Sequence, residues 1–513
     1  MPEHTTLSQY PEPAHGSEAA LPRLLSLLEL FHPDGAAQRT LVIGGNCPEI
    51  LLPLHYDNDT TEDADLIILA PTTAECHATG WLQGAVHSVS QRLAADGVAY
   101  AIAPPWTRLR IRTLLHTCDL SIDQSILHLP DQDSSRYLIP LSPTPARYAV
   151  SKLLSLTFHK RLLAAVGLCL IGSSKLFQSS LPSAGLLVRR PGARPTFEWL
   201  FRLNSGANGS LLITTSSRGK EGSVVIHCFP GTAEKPAGVA KLTLKPAGSL
   251  IGEAATHRRL GPSACAAGAE VSRILSLASF NGHPVLLQTP LCGQSIGALL
   301  ASRPNRLVGI LERLVLWLES WNRYTRTTMP LDIGLLRREI LAPAELLAAQ
   351  LEAGDEYQKW LKTTCGALAG ATIPSVTTHN DLTMWNLLLG RHAQLGVVDW
   401  ESAREKDLPF VDFFYAVADA VAIARGFEER SKAFEACFVA GGAYEHIVGQ
   451  LLVRLRRVVN VPDAIVELCF HACWLHHAAN EFRAVKPSDP RPFLKIVQWL
   501  ALNRPRVGSW VRA

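Results

Sequence analysis

The sequence predicts a mixed architecture: an α/β region with a doubly wound parallel sheet, followed by an α+β region that ends in helices. Three observations point there. Apolar strand-like runs alternate with a helical segment over residues 39–104, short strands surround one helix over 210–294, and helical periodicity dominates 296–368 and 412–504. A chain of 513 residues is also too long for one ordinary core, which suggests two to four domains.

In the first region RTLVIGG (39–45) is an apolar run stopped by two glycines, and ADLIILAP (64–71) is a second one stopped by Pro71. AVHSVSQRLAADG (85–97) has helical spacing at Val86, Val89 and Leu93, with Gly97 as its stop, and VAYAIAPP (98–105) is a third strand. Continuous apolar strands joined by a helix are the pattern of a parallel sheet buried on both faces. A long helix is expected over about 146–171, then a last strand in SAGLLVRRPGARP (183–195), whose Pro/Gly/Arg end marks the first domain boundary. Beyond it, SLLITTSSRGKEGSVVIHCFP (210–230) reads as two strands around a polar turn and GVAKLTLKP (238–246) as a third. SLIGEAATHRRLG (249–261) reads as a helix with Gly261 at its exit, and HPVLLQTPLCGQ (283–294) as a strand entering a connector. These make a small antiparallel lobe.

Composition narrows the partners. The chain is 47% hydrophobic and 18% charged, with a net charge of +4. That balance lacks the concentrated basic face that nucleic acid requires. The N-terminus MPEHTTLSQY shows no signal-peptide pattern, and the apolar stretch near 153–171 is interrupted by His159, Lys160 and Arg161. Its clean part, 162–171, is far short of the roughly 20 residues of a membrane span, so a buried or surface-lying helix with at most weak peripheral membrane contact is expected. The 11 cysteines are odd in number and scattered, which suits buried thiols in a reducing, cytoplasmic setting.

The chemistry concentrates in THNDLTMWNLLLGRHAQLGVVDWESA (378–403). LLL (387–389) and LGVVDW (395–400) are apolar runs split by the turn-like GRHAQ, which reads as a β-hairpin. Asp381 precedes this hairpin and Asp399 ends its second strand, so the fold-back brings Asp381, Asn386 and Asp399 to one mouth. Phosphoryl transfer needs such a set. One carboxylate orients and deprotonates the attacking hydroxyl, while an amide oxygen and a second carboxylate hold Mg²⁺.

The segment resembles the aminoglycoside phosphotransferase/choline kinase-like family, a branch of the protein-kinase-like fold. The resemblance implies a bilobal domain with a helical C-lobe, using ATP and Mg²⁺ and acting on a small-molecule or glycan hydroxyl. It implies Asp381 as catalytic base, Asn386 and Asp399 as metal ligands, and His379 as a prop of the catalytic loop. DLPFVDFFYAV (407–417) is similar to the family's continuation, with Asp412 opening a helix in a structural role. Asn380 departs from the glycine usual between the His and the Asp. A kinase-like site also needs a strand lysine held by a helix glutamate. Lys241 with Glu253 fits, with Lys245 as rival. Gly219 and Gly222 in SSRGKEG (216–222) would let backbone N–H groups approach phosphate, although the turn lacks regular glycine spacing. The adenine is expected at the backbone of 287–291, around Gln288 and Thr289.

The first region resembles a shortened class I methyltransferase, a Rossmann-like domain. Gly44-Gly45-Asn46-Cys47-Pro48 stands where an acidic Gly-x-Gly loop is expected, and Asp57 and Asp59 are poor candidates for ribose contacts. An inactive platform is expected rather than S-adenosylmethionine chemistry. The expected domains are therefore 1–192 Rossmann-like, 193–294 N-lobe, and 295–513 C-lobe with the catalytic loop at 379–386. A nucleotide-binding pseudokinase scaffold and a bifunctional methyltransferase–kinase are the alternatives. In CFHACWLHH (469–477) the Cys and His residues could bind zinc, but a packed helix is expected there, and Trp317 and Trp321 are expected in the helical core.

Overall fold

The computed structural model describes residues 29–34, 39–45, 63–78, 80–129, 137–153, 167, 181, 184–203, 209–215, 223–231, 233–243, 248–280, 283–484 and 491–503. Strands β1 (Thr40–Ile43), β2 (Ala64–Leu69) and β3 (Leu93–Ile102) lie side by side and parallel. Their apolar runs are continuous because both faces are covered. Ile67 and Leu69 point to helices α1 (Trp81–Arg92) and α2 (Pro105–Thr117). Leu66 and Ile68 point the other way, to Leu30, Phe31 and the short helix α3 (Glu198–Leu203). Helices α1 and α2 thus lie on a single face. Helix α1 stops at Arg92, five residues before Gly97, and Leu93 already pairs with Ala64. Gly97 is needed for another reason: a Cβ there would stand 2.9 Å from the Ala64 carbonyl oxygen of the neighbouring strand.

Strands β4 (Ser121–Leu129) and β5 (Tyr137–Pro140) follow, and β6 (Ala184–Arg189) inserts between β3 and β4, antiparallel to both. Apart from Leu153 and Gly167, the apolar stretch 153–171 lies outside the described residues.

The later strands continue the same sheet. Strand β5 pairs with β7 (Gly209–Thr215), which pairs with β8 (Ser223–Pro230), which pairs with β9 (Gly238–Thr243). The sheet then runs on through the later strands β12 (His283–Gln288) and β11 (Ile274–Phe280) to eleven strands. The expected boundary near 192 therefore falls inside one continuous sheet. Backbone pairing across β5 and β7 carries no residue signature, so the sequence does not announce it. Strand β11 (ILSLASF) was also absent from the sequence reading.

Helix α4 (Gly248–Ala266) continues through Gly261 and Pro262, so Gly261 is not its exit. The turn comes at Gly268, where φ is +90°. Continuation buries Leu260 and Ala264 in the large helical core. Short strand β10 (Glu270–Val271) follows, then the connector leads through β13 (Gln294–Ser295) into α5 (Ile296–Ser302), α6 (Leu307–Thr325) and α7 (Gly354–Leu368). Trp317 and Trp321 of α6 are buried and stacked at 5.9 Å, as expected.

Strand β14 (Thr327–Pro330) pairs with β15 (Thr372–Thr378), which runs into the loop that carries Asp381. Strands β16 (Leu387–Leu389) and β17 (Leu395–Val397) form the expected antiparallel hairpin, Leu387 opposite Val397. Strand β18 (Arg404–Asp407) pairs back onto β15. Five helices complete the region: α8 (Val411–Arg425), α9 (Arg430–Phe438), α10 (Glu445–Val458), α11 (Asp463–Ala484) and α12 (Pro492–Asn503). Among the described residues no single helix is long and apolar enough to cross a membrane.

Candidate active site

The loop between β15 and β16 is held from several sides. His379 is fully buried; its Nε2 donates to the Val398 carbonyl at 2.9 Å, and its ring packs on Trp400 at 5.2 Å. The imidazole therefore ties the loop to the residue just before Asp399. Asn380 sits at φ +60°, the left-handed region in which glycine and asparagine are the favoured residues. That explains why Asn380 can replace the usual glycine. Its side chain donates to Asp407 Oδ2 at 3.2 Å, so it points into the scaffold. Asp381 is half-buried. Asn386 Nδ2 donates to the Asp381 carbonyl at 2.8 Å and to Asp381 Oδ2 at 3.1 Å. The two residues called from sequence are thus in direct contact.

Helix α8 grips the loop at two points. Asp412 accepts the N–H groups of His379 (2.7 Å) and Asn380 (2.8 Å). Asp419, seven residues later and on the same helix face, accepts the N–H of Met384 at 2.7 Å and pairs with Arg430 of α9. Asp419 and Arg430 escaped the sequence reading. The available signal was the 412/419 spacing of two helical turns. A cavity beside this base is lined by Asn380, Asp407, Asp412, Tyr415, Cys473 and His477. Its carboxylates Asp407 and Asp412 are already engaged by the loop.

Opposite the loop, Lys241 projects from the middle of β9, between β8 and β12. Its Nζ lies 2.7 Å from Glu253 Oε2 on α4 and 2.7 Å from Asp399 Oδ1. Asp399 itself adopts φ +65°, a left-handed turn immediately after β17. Glu401, also missed, lies 3.9 Å from Lys241, and oxygens of Glu253, Asp399 and Glu401 lie within 4.8 Å of one another.

Electrostatics follow from this crowding. Burial alone would pull the Lys241 ammonium down, but Asp399 and Glu253 outweigh it and hold Lys241 above its ordinary range. Burial lifts Glu253, with Lys241 opposing. Burial, then Asp399, pushes Asp381 up to about 7, with the Asn386 hydrogen bond opposing. Burial lowers His379, with the hydrogen bond to the Val398 carbonyl opposing.

Gly219, Gly222 and the rival Lys245 lie outside the described residues, as do Asp57 and Asp59. Gln288 and Thr289 are committed locally. Gln288 Oε1 accepts from Ser272 Oγ at 2.8 Å, while Thr289 gives its N–H to the Arg273 carbonyl and accepts the Arg273 N–H on Oγ1, each at 2.8 Å. Strand β11, missed from the sequence, lies against this strand end and supplies these partners' neighbourhood. In α11, Cys469 and Cys473 are buried and His477 stacks on Tyr415 at 3.6 Å. The helix is packed into the helical core, with Phe470, Trp474 and Leu475 buried beside these cysteines.

Residues 236–446 match the family model described as a phosphotransferase enzyme family, a span that contains Lys241, Glu253, the 379–386 loop, Asp399, Asp412 and Asp419. No curated protein matches the sequence. Among solved structures, the chain is similar to an aminoglycoside phosphotransferase of Streptomyces rimosus in complex with ADP and streptomycin, at 14% identity and a TM-score of 0.32, covering 48% of this chain and 88% of that one. It is also similar to a thermostable mutant of aminoglycoside phosphotransferase APH(4)-Ia in complex with ADP and hygromycin B, at 12% identity and a TM-score of 0.37, covering 61% and 97%. The family match and the site chemistry support a phosphotransferase acting on hydroxyl groups.

Proposed function

We propose that this chain is an ATP- and Mg²⁺-dependent phosphotransferase that moves the γ-phosphoryl group to a hydroxyl of a small molecule or glycan. The observation that carries the reading is Lys241, which joins the strand lobe to the helical region through Glu253 and Asp399 at 2.7 Å each. Such a lysine is positioned to hold α- and β-phosphates, kept charged by its carboxylates.

The donor set fits a hard divalent cation. Three carboxylates bring oxygens within 4.8 Å of one another, and Asn386, whose Nδ2 serves Asp381, keeps its Oδ1 for a cation. Asp399 and Asn386 would hold it, with Glu401 at hand. When bound, Mg²⁺ supplies positive charge against the phosphate oxygens. Asp381 orients the acceptor hydroxyl and takes its proton as the oxygen bonds to the γ-phosphorus. The bond to the β–γ bridging oxygen breaks, and ADP leaves with the electron pair. Lys241 neutralises the phosphates that remain.

The parallel strands β1–β3, followed by antiparallel β6 and then by β4, which runs in the direction of β1–β3 again, support reading the first region as a shortened Rossmann-like platform. We assign it no methyl transfer. The proposed units remain 1–192, 193–294 and 295–513, the first two sharing the eleven-stranded sheet. The buried free thiols Cys76, Cys228, Cys365, Cys437, Cys469 and Cys473 support a cytoplasmic setting.

The test is ADP release across a panel of sugars, cyclitols and amino alcohols, with and without Mg²⁺. Turnover with at least one acceptor, lost on Lys241→Met and on magnesium chelation, is expected. ATP binding with no turnover on any acceptor would favour a pseudokinase scaffold.

A further inference from the structure

Apolar side chains along the catalytic loop are buried: Leu382, Met384 and Leu387 have no exposed surface. Trp385 is different. It is 46% exposed, although it immediately precedes Asn386. Its exposure does not come from a loose backbone. On one side the Met384 N–H donates to Asp419 at 2.7 Å, and the Met384 carbonyl accepts the Gly297 N–H at 2.7 Å. On the other side the Asn386 N–H donates to the Thr383 carbonyl at 3.1 Å.

The indole itself is seated. A Cβ added to Gly297 would stand 2.7 Å from Trp385 Cδ2, 2.8 Å from Cε2 and 3.0 Å from Cε3. Glycine at the start of α5 therefore lets the ring lie close against the helix backbone. One part of the indole is packed and the rest meets solvent, on the same tight loop as Asp381. The Asp381 carbonyl accepts the Thr383 N–H at 2.8 Å, so the loop turns back on itself between Asp381 and Trp385.

A rigid indole face loses little freedom when a ligand covers it, and aromatic side chains with polar groups beside them line small-molecule sites. Asp381, four residues before Trp385 on the same loop, disfavours an anionic partner. We infer that Trp385 is an acceptor platform: its open surface stacks on the apolar face of a neutral cyclic polyol whose hydroxyl reaches Asp381. This rests on the phosphotransferase reading above. Trp385 is a specificity-determining residue, and Gly297 is the residue that positions it.

Fluorine NMR of the full chain labelled with 5-fluorotryptophan tests this, with the Trp385 signal assigned among the 11 tryptophans by its absence in Trp385→Phe. The probes are methyl β-glucopyranoside, myo-inositol and Mg²⁺ with AMP-PNP, added singly and together. A saturable shift of the Trp385 signal with a polyol is expected. Trp385→Ala should weaken that polyol about two- to tenfold, and Gly297→Ala should weaken it too by displacing the ring; neither should alter AMP-PNP binding. A Trp385 signal unmoved by both polyols, or moved by AMP-PNP alone, overturns the platform. Polyol binding at Trp385 without any AMP-PNP binding would support the platform while sinking the phosphotransferase reading, so the two failures are distinguishable.

Discussion

Asp381 shows how a single residue can be tuned against its own stability. Burial and the neighbouring Asp399 push its carboxyl up to about 7, well above the ordinary 3.8. Between those values the folded state binds more protons than the unfolded one, so this residue's contribution falls as pH rises from about 4 to about 7. Asp381→Asn removes that penalty. The variant should gain stability relative to the parent above pH 7 and lose the gain near pH 4, as read by thermal unfolding across pH. Its kcat should fall roughly 10²- to 10⁴-fold, because the proposed general base is gone. In the parent, turnover should rise through an apparent pKa near 7, and a flat pH profile from 6 to 8 would contradict that role. Asn380 offers a second test at this scale. Its φ of +60° admits glycine, so Asn380→Gly should fold and turn over nearly normally. Asn380→Val should lose about 1–2 kcal/mol in urea unfolding from backbone strain alone. The sequence marked Asn380 as a departure but could not show why it is tolerated, because backbone angle is not written in residue type.

At the scale of elements, one helix positions the chemistry. Helix α8 sends Asp412 and Asp419 to opposite ends of the segment that carries Asp381. Asp412→Asn keeps one acceptor oxygen and loses the other, leaving one buried N–H unmet at a cost of about 1–3 kcal/mol. Asp419→Asn weakens the grip on Met384 and leaves Arg430 without its carboxylate. Both variants should lower kcat more than they raise the KM for ATP, since Lys241 and Glu253 are untouched. A rise in KM for ATP with kcat unchanged would argue against loop positioning. The site was legible where chemistry sits on one short segment: the hairpin β16–β17, Asp381, Asn386 and Asp399 all follow from 26 residues of pattern. Lys241 and Glu253 were legible because strand and helix are adjacent in the chain. Asp419, Arg430 and Glu401 were not, since each acts through a contact set by how α8, α9 and the turn after β17 pack.

At the scale of the whole molecule, the sheet decides what can fold alone. The sequence drew a boundary at the Pro/Gly/Arg segment near 192, but Arg194 within it is tied down, with Nε 2.8 Å from Asp96 and NH1 2.7 Å from Asp34. Beyond it, Tyr137 pairs with Thr214 and Leu138 with Ile213, so β5 covers an edge of β7. Residues 143–153 cap the same lobe: Tyr148 packs edge-on to Phe229 at 5.3 Å, and Ala146 and Ala149 bury Leu212. A fragment of residues 193–513 would expose the β7 edge together with Leu212 and Phe229. An uncovered, apolar strand edge pairs with other chains. The fragment should therefore be recovered as aggregate, or as soluble oligomers that bind a hydrophobic dye, while the full chain stays discrete on size exclusion. Leu138→Asp in the full chain should weaken the same seam without deleting anything, lowering the unfolding midpoint by burying a charge against Ile213. A monomeric, ATP-binding 193–513 fragment would show that the first region is an independent passenger and that the shared sheet is not needed to hold Lys241 in place.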